Sequence, residues 1–465
     1  MSPTARRIFN QLVDELIAKP RSLQHVRKFV HYDIVDPNDH DNLGGGRYCG
    51  FFRLNFNIPP AHEHIGWVLG TSRRGLATGG ADVLLAPGPS TFNVESRHVY
   101  LQHHRQTGVL MIIAGKHPVL INGIEKLQNA CHAVCEPTGI TIGDLAFKIS
   151  FTDLDEESYR YQLRRVMDLN APSFPRIPHE ITPAPTPDMN HYRVNTKYYS
   201  YPVHAGGTYS TVAYAFVKAT GEAVALKIMK RTRHNTFDID KELRIMRMLN
   251  HDFIGGEYPV GSGQGECQQV TAVLSPFAPA LSTRLHGDQR PENEWIAYVM
   301  KQCYGGLAYI HAKGILHHDI KLDNIGVVDS IPPRAVIMDF GHAAVEEYST
   351  NHMLGTVRYL APEIIALKQE SKAAERAYPA TPYFGAPVDV WALSLCVYEL
   401  YIGKIIKWAS VNRADYEALD EYFKTELRNR DDDRLASKLV TLACRGLQWK
   451  PSERCSAADG HLYLS

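Results

Sequence analysis

The chain has 465 residues, a length that allows two or three domains, each with its own core. Its 50 basic and 50 acidic side chains give a formal net charge of zero, which argues against a partner bound through bulk charge, such as nucleic acid. No run of about 18 apolar residues occurs, so the sequence predicts no membrane span and indicates a soluble, intracellular protein of the cytoplasm or nucleus.

The first 152 residues change texture at about residue 47. Apolar residues recur at helical spacing over 5–18, so residues 1–46 are predicted to form an N-terminal helix and lead-in. Over 47–152, short apolar runs alternate with Gly, Pro and Asn, and the pair Asn122-Gly123 is typical of a hairpin turn. Many short strands with frequent turns predict a β-sandwich over 47–152.

A proline-rich segment marks the next boundary. Residues 153–198 are predicted to form a helix and a semi-rigid linker, with prolines concentrated in 171–188. After residue 199 a strand-rich stretch gives way to longer helical patterns. This order predicts a small β lobe followed by a larger helical lobe, over 199–463.

The segment 316–324 reads Leu-His-His-Asp-Ile-Lys-Leu-Asp-Asn, and Asp339-Phe340-Gly341 begins fifteen residues after Asn324. Phosphoryl transfer needs one carboxylate to orient the attacking hydroxyl, and an amide and a second carboxylate to hold divalent metal over the phosphates. The spacing therefore predicts that Asp319 is the catalytic carboxylate and that Asn324 and Asp339 bind Mg2+.

These motifs resemble those of eukaryotic serine/threonine protein kinases. Val-Ala-Leu-Lys, ending at Lys227, resembles the third strand, whose lysine contacts the phosphates of ATP, and Glu242 stands where a helix glutamate pairs with that lysine. The resemblance implies that Lys321 steadies the transferred phosphate and that Thr356 contacts Asp319 and Lys321. It also implies ATP-dependent transfer of the γ-phosphate to Ser or Thr of protein substrates.

The glycine-rich loop departs from the family pattern. Alignment on Val212 places Ala205, Gly207 and Ser210 where three glycines are usual. Glycine still allows backbone amides to approach phosphate near Gly207, so weaker or slower nucleotide handling is expected rather than loss of binding. The predicted ATP-binding residues are Ala205, Gly206, Gly207, Ser210, Val212, Ala225, Lys227 and Glu242.

Two further features concern the scaffold and its control. The resemblance implies that Asp389 anchors the catalytic loop and that Arg454 pairs with Glu363. His318 stands where the family usually has an arginine that binds a phosphate on the activation loop. Neutral histidine binds phosphate poorly, so activation is expected to depend less on phosphorylation of Ser349 or Thr350 than in typical relatives.

The strand texture of 47–152 resembles a forkhead-associated (FHA) domain, a β-sandwich that binds phosphothreonine through its end loops. The resemblance rests on Gly70, on Ser96-Arg97-His98, on Asn122-Gly123 and on the run 140–144. Thr71 occupies the position of the usual phosphate-binding arginine. The predicted phosphopeptide residues are Arg73, Arg74, Ser96, Arg97 and Asn122; a domain kept for docking or dimerisation is the alternative.

The predicted fold class is α+β, a bilobal protein kinase fold preceded by a β-sandwich of the FHA/SMAD-like type. This domain order resembles fungal checkpoint kinases, in which the first domain brings the enzyme to phosphothreonine-containing partners. The alternative function is a catalytically weak pseudokinase scaffold that uses both domains for protein interaction, since the glycine loop is incomplete and His318 is unusual.

Overall fold

The computed structural model describes residues 11–13, 18, 28, 30–34, 48–61, 66–71, 80–86, 92–151, 155–170, 192–195, 197–206, 210–232, 234–252, 254, 256–262, 269–285, 290–328, 330–373, 383–406 and 434–465. The chain divides into two compact units. The first comprises Met1–His204 with Ala213–Val224, and the second comprises Ala205–Val212 with Ala225–Ser465. Among the described residues, no helix is long and apolar enough to cross a membrane.

The first unit contains eleven short strands before its described helix. A five-stranded sheet has the order β4-β3-β5-β6-β9, and a four-stranded sheet has the order β11-β10-β7-β8. Strands β1 and β2 pair separately. The strands are β1 (Val30–Ile34), β2 (Tyr48–Phe52), β3 (Trp67–Gly70), β4 (Val83–Leu84), β5 (Val99–His103), β6 (Leu110–Ala114), β7 (Val119–Ile121), β8 (Glu125–Leu127), β9 (Ala130–Val134), β10 (Thr138–Ile142) and β11 (Leu145–Ile149).

Both larger sheets contribute side chains to one hydrophobic cluster. Leu101 and Ile112 come from the five-stranded sheet, and Ile121 and Ile140 come from the four-stranded sheet. Alternate residues of β10 are buried, as expected for a strand with one face toward a core. The prediction of a β-rich region ahead of the linker is therefore confirmed.

The predicted turn at Asn122-Gly123 joins β7 to β8, which pair antiparallel. Both residues have positive φ, 52° for Asn122 and 72° for Gly123, the left-handed conformations that Asn and Gly tolerate best. The Asn122 side-chain oxygen accepts a hydrogen bond from the Gly139 amide at 2.8 Å. This side chain therefore stabilises the turn against β10.

Helix α1 (Glu156–Asn170) follows the strands. Tyr159, Leu163 and Met167, spaced by four residues, are buried and pack with Phe56. The helix predicted within 153–198 is therefore present, whereas the proline-rich stretch 171–188 lies outside the described residues. Of the predicted N-terminal helix, residues 11–13 and 18 are helical and the remainder lies outside the described residues.

The second half of the chain changes from strands to helices, as its sequence pattern predicts. Strands β15, β17 and β16 are neighbours in that order and pair antiparallel. The elements are β12 (Tyr192–Asn195), β13 (Tyr198–Gly206), β14 (Ser210–Val217), β15 (Ala223–Lys230), α2 (Thr236–Met248), β16 (Gly256–Ser262), β17 (Gln269–Ser275), α3 (Asn293–Ala312), β18 (Ile315–Leu316), β19 (Ile325–Val328), β20 (Arg334–Ile337), β21 (Ala344–Val345), β22 (Tyr348–Ser349), α4 (Pro362–Ala373), β23 (Phe384–Gly385), α5 (Pro387–Ile402), α6 (Arg434–Gly446) and α7 (Ala457–Tyr463).

Helix α5 is buried along nearly its whole length and lies in the main hydrophobic cluster of the second unit. Ser394 of α5 exchanges a 2.7 Å hydrogen bond with the Tyr304 hydroxyl of α3. A Cβ atom built on Gly446 of α6 would lie 1.7 Å from the Ser394 Oγ. The close approach of α5 and α6 therefore requires a residue without a side chain at position 446.

We expect Gly446→Ala to lower the free energy of unfolding by about 1–3 kcal/mol, because the added methyl group overpacks the contact with Ser394. Urea or thermal unfolding of the full chain measures this change. Gly115→Ala is the matched control, since a Cβ there meets no atom within 4 Å. Equal stability of the two variants would contradict the packing argument.

Candidate active site

Asp319 lies in the loop between β18 and β19 and joins the two other predicted catalytic residues. Its carboxylate accepts hydrogen bonds from Lys321 Nζ at 2.9 Å and from the Thr356 hydroxyl at 2.7 Å. The Thr356 amide also donates to it at 3.0 Å, and Lys321 Nζ donates to the Thr356 hydroxyl at 3.0 Å. The fold thus brings together Asp319, Lys321 and Thr356, although Thr356 is distant in sequence.

Asp319 is held in its ionised form. Burial by itself would raise the pKa of this carboxyl, but hydrogen bonds from Lys321 and Thr356 outweigh burial, and the pKa lies below its ordinary value. His342 contributes in the same direction, with its Nδ1 atom 3.8 Å from the Asp319 Oδ2. No sequence signal marks His342, because only the loop after Phe340 brings it to this carboxylate.

Lys227 links three elements of the second unit. On β15 its ammonium forms an ion pair with Glu242 of α2, and both side chains are buried. It also donates to Asp339 Oδ1 at 2.8 Å. Although burial raises the pKa of Asp339, the charge and hydrogen bond of Lys227 lower it to about 2. The predicted Lys227–Glu242 pair is therefore present and extends to the Asp339 carboxylate.

Asn324 and Asp339 lie on two segments that a backbone hydrogen bond joins. The Met338 amide donates to the Asn324 carbonyl at 2.8 Å, which places Asp339 beside the catalytic loop. The Asn324 amide group donates to the Asp319 carbonyl at 2.8 Å and to its carboxylate at 3.1 Å. Because the side-chain nitrogen is engaged in this way, the side-chain oxygen is the atom that could accept a cation. An amide oxygen and a carboxylate suit a hard divalent cation.

The predicted nucleotide-binding residues lie on strands that follow one another along the chain. Ala205 and Gly206 end β13, and Ser210 and Val212 begin β14. Ala225 lies on β15 and is buried. Gly207 lies outside the described residues.

A buried carboxylate anchors the catalytic loop. Asp389, near the start of α5, accepts hydrogen bonds from the amides of His317 and His318, each at 2.9 Å. The His311 ring lies 3.0 Å from the same carboxylate. Burial raises the pKa of Asp389, but the His311 hydrogen bond and nearby imidazoles bring it down to about 2. The predicted anchoring contact is present, and His311 is an additional partner that the sequence did not indicate.

His317 connects the catalytic loop to the loop that contains Asp339. Its Nδ1 accepts a hydrogen bond from the Asp319 amide at 3.3 Å, so its Nε2 carries the proton and donates to the Met338 carbonyl at 3.1 Å. Burial lowers the pKa of His317, which favours this neutral form. A single imidazole therefore sets the spacing between the two loops.

Comparison with known proteins agrees with this geometry. The family described as protein kinase domain matches residues 205–461, more than half of the chain. The chain belongs to the protein kinase family. Membership implies ATP and a divalent cation in general, and the oxygen donors of Asn324 and Asp339 fit that cation.

Three relatives illustrate the similarity of this protein kinase. Calcium-dependent protein kinase 5 of Plasmodium berghei (strain Anka) is 30% identical over 202 residues, which cover 42% of this chain and 33% of that protein. Serine/threonine-protein kinase PAK mbt of Drosophila melanogaster is 28% identical over 54% of this chain and 37% of its own length. Serine/threonine-protein kinase RAD53 of Saccharomyces cerevisiae (strain ATCC 204508 / S288c) is 26% identical over 54% and 31%. The matches thus span about a third of these relatives.

His318 has an unusual environment for an imidazole. Its φ is 63°, its ring centroid lies 5.7 Å from that of Phe384, and both ring nitrogens are buried without a hydrogen-bond partner. The activation segment approaches closely, because a Cβ on Gly355 would lie 2.7 Å from the His318 carbonyl. The two ring nitrogens of His318 are therefore enclosed by neighbouring groups.

Strand pairing and one lysine hold the activation segment of this kinase. Strand β22 pairs with β23, and the Ser349 side chain is buried while Thr350 is exposed. Lys368 of α4 donates to the carbonyls of Met353 and Leu354 at 3.3 Å. The weak dependence of activation on loop phosphorylation stays a prediction.

The end of the activation segment is fixed by two buried groups. Arg454, whose side chain is fully buried, makes two 2.7 Å hydrogen bonds to the Glu363 carboxylate, as the sequence predicts. The Tyr359 hydroxyl donates to Glu399 at 2.7 Å, and the Arg358 guanidinium lies 3.6 Å from the same carboxylate. The sequence did not indicate the second group, since Glu399 lies among apolar neighbours near the end of α5.

The predicted phosphopeptide residues of the β-rich region lie in different surroundings. Ser96 is exposed in the loop before β5, and the Arg97 guanidinium lies 5.5 Å from the Tyr100 ring. Asn122 is engaged with β10 at the far end of β7 from the His117 loop. Arg73 and Arg74 lie outside the described residues.

A carboxylate lies beside Ser96. Glu95 is 4.0 Å from the His117 ring, and its amide donates to the His98 ring at 3.2 Å. The adjoining Thr71 hydroxyl is buried and has no hydrogen-bond partner. The end loops therefore bring acidic and imidazole groups together, a combination that the sequence did not indicate.

We expect Asp389→Asn to lower the free energy of unfolding at pH 7 by about 2 kcal/mol or more. The reason is that hydrogen-bond donors around the buried carboxylate stabilise its ionised form. The pKa of Asp389 is depressed from 3.8 to about 2, so its stabilisation is present above about pH 4 and is lost as the pH falls toward 2. Urea unfolding of the wild type and Asp389→Asn between pH 7 and pH 2 measures the difference in their free energies of unfolding, which should become smaller as the pH falls. The exposed Asp323→Asn is the control, and a difference independent of pH would contradict the assignment.

Proposed function

We propose that this protein kinase transfers the γ-phosphate of ATP to serine or threonine hydroxyls of protein substrates. The observation that carries the proposal is the hydrogen-bonded cluster of Asp319, Lys321 and Thr356. Lys227, paired with Glu242 and Asp339, supplies a positioned cation in the same unit. The kinase relatives named as serine/threonine kinases support the same substrate class.

Each residue has a distinct part in the proposed reaction. Ionised Asp319 accepts a hydrogen bond from the substrate hydroxyl and orients its oxygen toward the γ-phosphorus. Lys321 is positioned to stabilise negative charge on the transferred group, and Lys227 on the phosphates of ATP. Asn324 and Asp339 would hold Mg2+, which supplies charge neutralisation over the phosphates when bound. Because ATP is the phosphoryl donor, we infer an intracellular site of action, in the cytoplasm or nucleus.

The pseudokinase alternative rests on the incomplete glycine loop and on His318. Neither feature removes a group that the proposed reaction uses. The Lys227–Glu242 ion pair and the hydrogen bonds of Asp319 and Asn324 support the proposed reaction. A scaffold without activity has no need for an ionised Asp319 whose hydrogen-bond donors come from residues 321 and 356, so catalysis is the better-supported function.

We expect Asp319→Ala to reduce phosphate incorporation into a Ser/Thr peptide mixture by about 10²–10⁴-fold, because the hydroxyl loses its orienting carboxylate. Transfer of radiolabelled phosphate from ATP measures this loss. Asp238→Ala removes an exposed carboxylate from the first turn of α2 and should leave the rate unchanged. Equal incorporation by wild type and Asp319→Ala would refute the catalytic role.

We further propose that the β-rich region is an FHA-like domain that recruits phosphothreonine-containing partners, the second candidate function. Exposed Ser96 and neighbouring Arg97 lie in a loop packed on the end of β3, where a Cβ on Gly70 would lie 2.3 Å from the Ser96 carbonyl. The serine hydroxyl and the arginine guanidinium are suitable hydrogen-bond donors to a phosphate group. The negative charge of Glu95 would repel a phosphate group there. We therefore propose that phosphothreonine binds more weakly than in a site lined only by hydrogen-bond donors.

Calorimetric titration of a phosphothreonine peptide library tests this recruitment. We expect Ser96→Ala to weaken binding, because a hydroxyl donor is lost, and Glu95→Gln to strengthen it several-fold, because a repelling charge is removed. Unphosphorylated peptides serve as the control. Absence of phosphate-dependent binding by both wild type and Glu95→Gln would leave only a docking role for this region.

A further inference from the structure

The turn Lys218–Glu222, which follows β14, is built into the N-terminal β-rich region. The Ala133 amide of β9 donates to the Lys218 carbonyl at 2.7 Å. Strand β9 is at the edge of the five-stranded sheet, so its outward backbone groups need a partner. The turn supplies an acceptor for that edge, and both segments belong to the same compact unit.

A second hydrogen bond to the turn is fully buried. The Thr107 hydroxyl donates to the Gly221 carbonyl at 2.9 Å, and Thr107 has no exposed surface. Because an unpaired carbonyl in such a site would cost free energy, this hydrogen bond specifies where the turn lies. The bond spans 114 residues of sequence.

Gly221 fits the contact in both conformation and size. Its φ is 77°, and a Cβ atom on it would lie 2.8 Å from the Met111 Sδ and 3.0 Å from the His104 ring. The turn therefore approaches strand β6 and the β5–β6 loop more closely than any side chain allows. A freely tethered domain would not require such a fit.

Strand β13 also contacts the turn and the N-terminal β-rich region. The Tyr199 hydroxyl donates to Glu136 at 3.3 Å, and Lys218 Nζ lies 4.3 Å from the centre of the Tyr199 ring. These side chains link β13, the turn and the segment after β9. The interface thus combines an edge strand, a buried hydrogen bond and a cation over an aromatic ring.

We propose that the turn Lys218–Glu222 is the docking site of the kinase for its own N-terminal β-rich region, and that this docking supports the strand that carries Lys227. Strand β15 begins at Ala223, directly after the turn, and Lys227 lies on it. The matched kinase family region begins at residue 205, beyond Tyr199, so it lacks these N-terminal partners. The docking itself is independent of the proposed phosphoryl transfer.

The test uses the full chain with Gly221→Val, whose side chain meets Met111 and His104, and Thr107→Val, which removes the buried donor at similar volume. Gly123→Val is the matched control, since Gly123 has a φ of 72° but no atom within 4 Å of a Cβ. Hydrogen exchange of the peptide that contains Ala133 reports docking. Affinity for a fluorescent ATP analogue reports the support of Lys227, whether or not phosphate is transferred.

We expect exchange of the Ala133 peptide to rise at least about tenfold in Gly221→Val and Thr107→Val, and nucleotide affinity to fall several-fold, because docking and strand support are lost together. Exchange no faster than in Gly123→Val would overturn the docking site. Faster exchange with unchanged nucleotide affinity would overturn the support of Lys227. Where Gly221→Val does not fold, Thr107→Val alone decides between these outcomes.

Discussion

The active geometry of this kinase depends on the buried carboxylate of Asp389. A charge inside a protein is tolerated only when hydrogen-bond donors surround it, and here two backbone amides and an imidazole do so. These amides belong to the two residues that immediately precede Asp319. The helix with the most apolar surroundings therefore determines the backbone path of the loop that carries the reaction.

Short polar contacts connect the catalytic loop, which Asp389 anchors, to the other loops of the site. His317 holds the Met338 carbonyl, and Asn324 pairs with the Met338 amide. Asp339 then lies within reach of Lys227, although 112 residues separate them in sequence. Each contact joins groups that are satisfied within the site, so the cluster is already arranged before any substrate arrives. Such preorganisation is the main way in which a protein stabilises developing charge.

Much of this centre could be predicted from sequence because its spacing is local. Asp319, Lys321 and Asn324 lie within six residues, and one turn of chain carries all three. Lys227 and Glu242 were assigned by resemblance, and their ion pair is present. In contrast, His311 and His342 reach their carboxylates only through tertiary folding, so no local pattern marks them. Glu399 was hidden in the same way by its apolar helix.

The β-rich region shows the same limit. Short apolar runs separated by Gly, Pro and Asn predicted strands, and the Asn122-Gly123 pair predicted a turn, because both signals are properties of neighbouring residues. The proximity of Glu95 and His117 depends on how two loops meet at one end of the sheets, and the sequence did not indicate it. The close contact of Gly221 with Met111 was likewise not predictable from local sequence, since it depends on how two segments distant in the chain pack together.

Support of the catalytic loop through its main chain has a consequence for divergence among kinases. Asp389 accepts its hydrogen bond from the backbone amide of residue 318 and makes none with the His318 ring. Any residue that tolerates the local backbone can occupy that position without displacing Asp319. The loop that carries Asp319 is therefore anchored through main-chain atoms, so the anchor itself does not select which side chain stands at position 318.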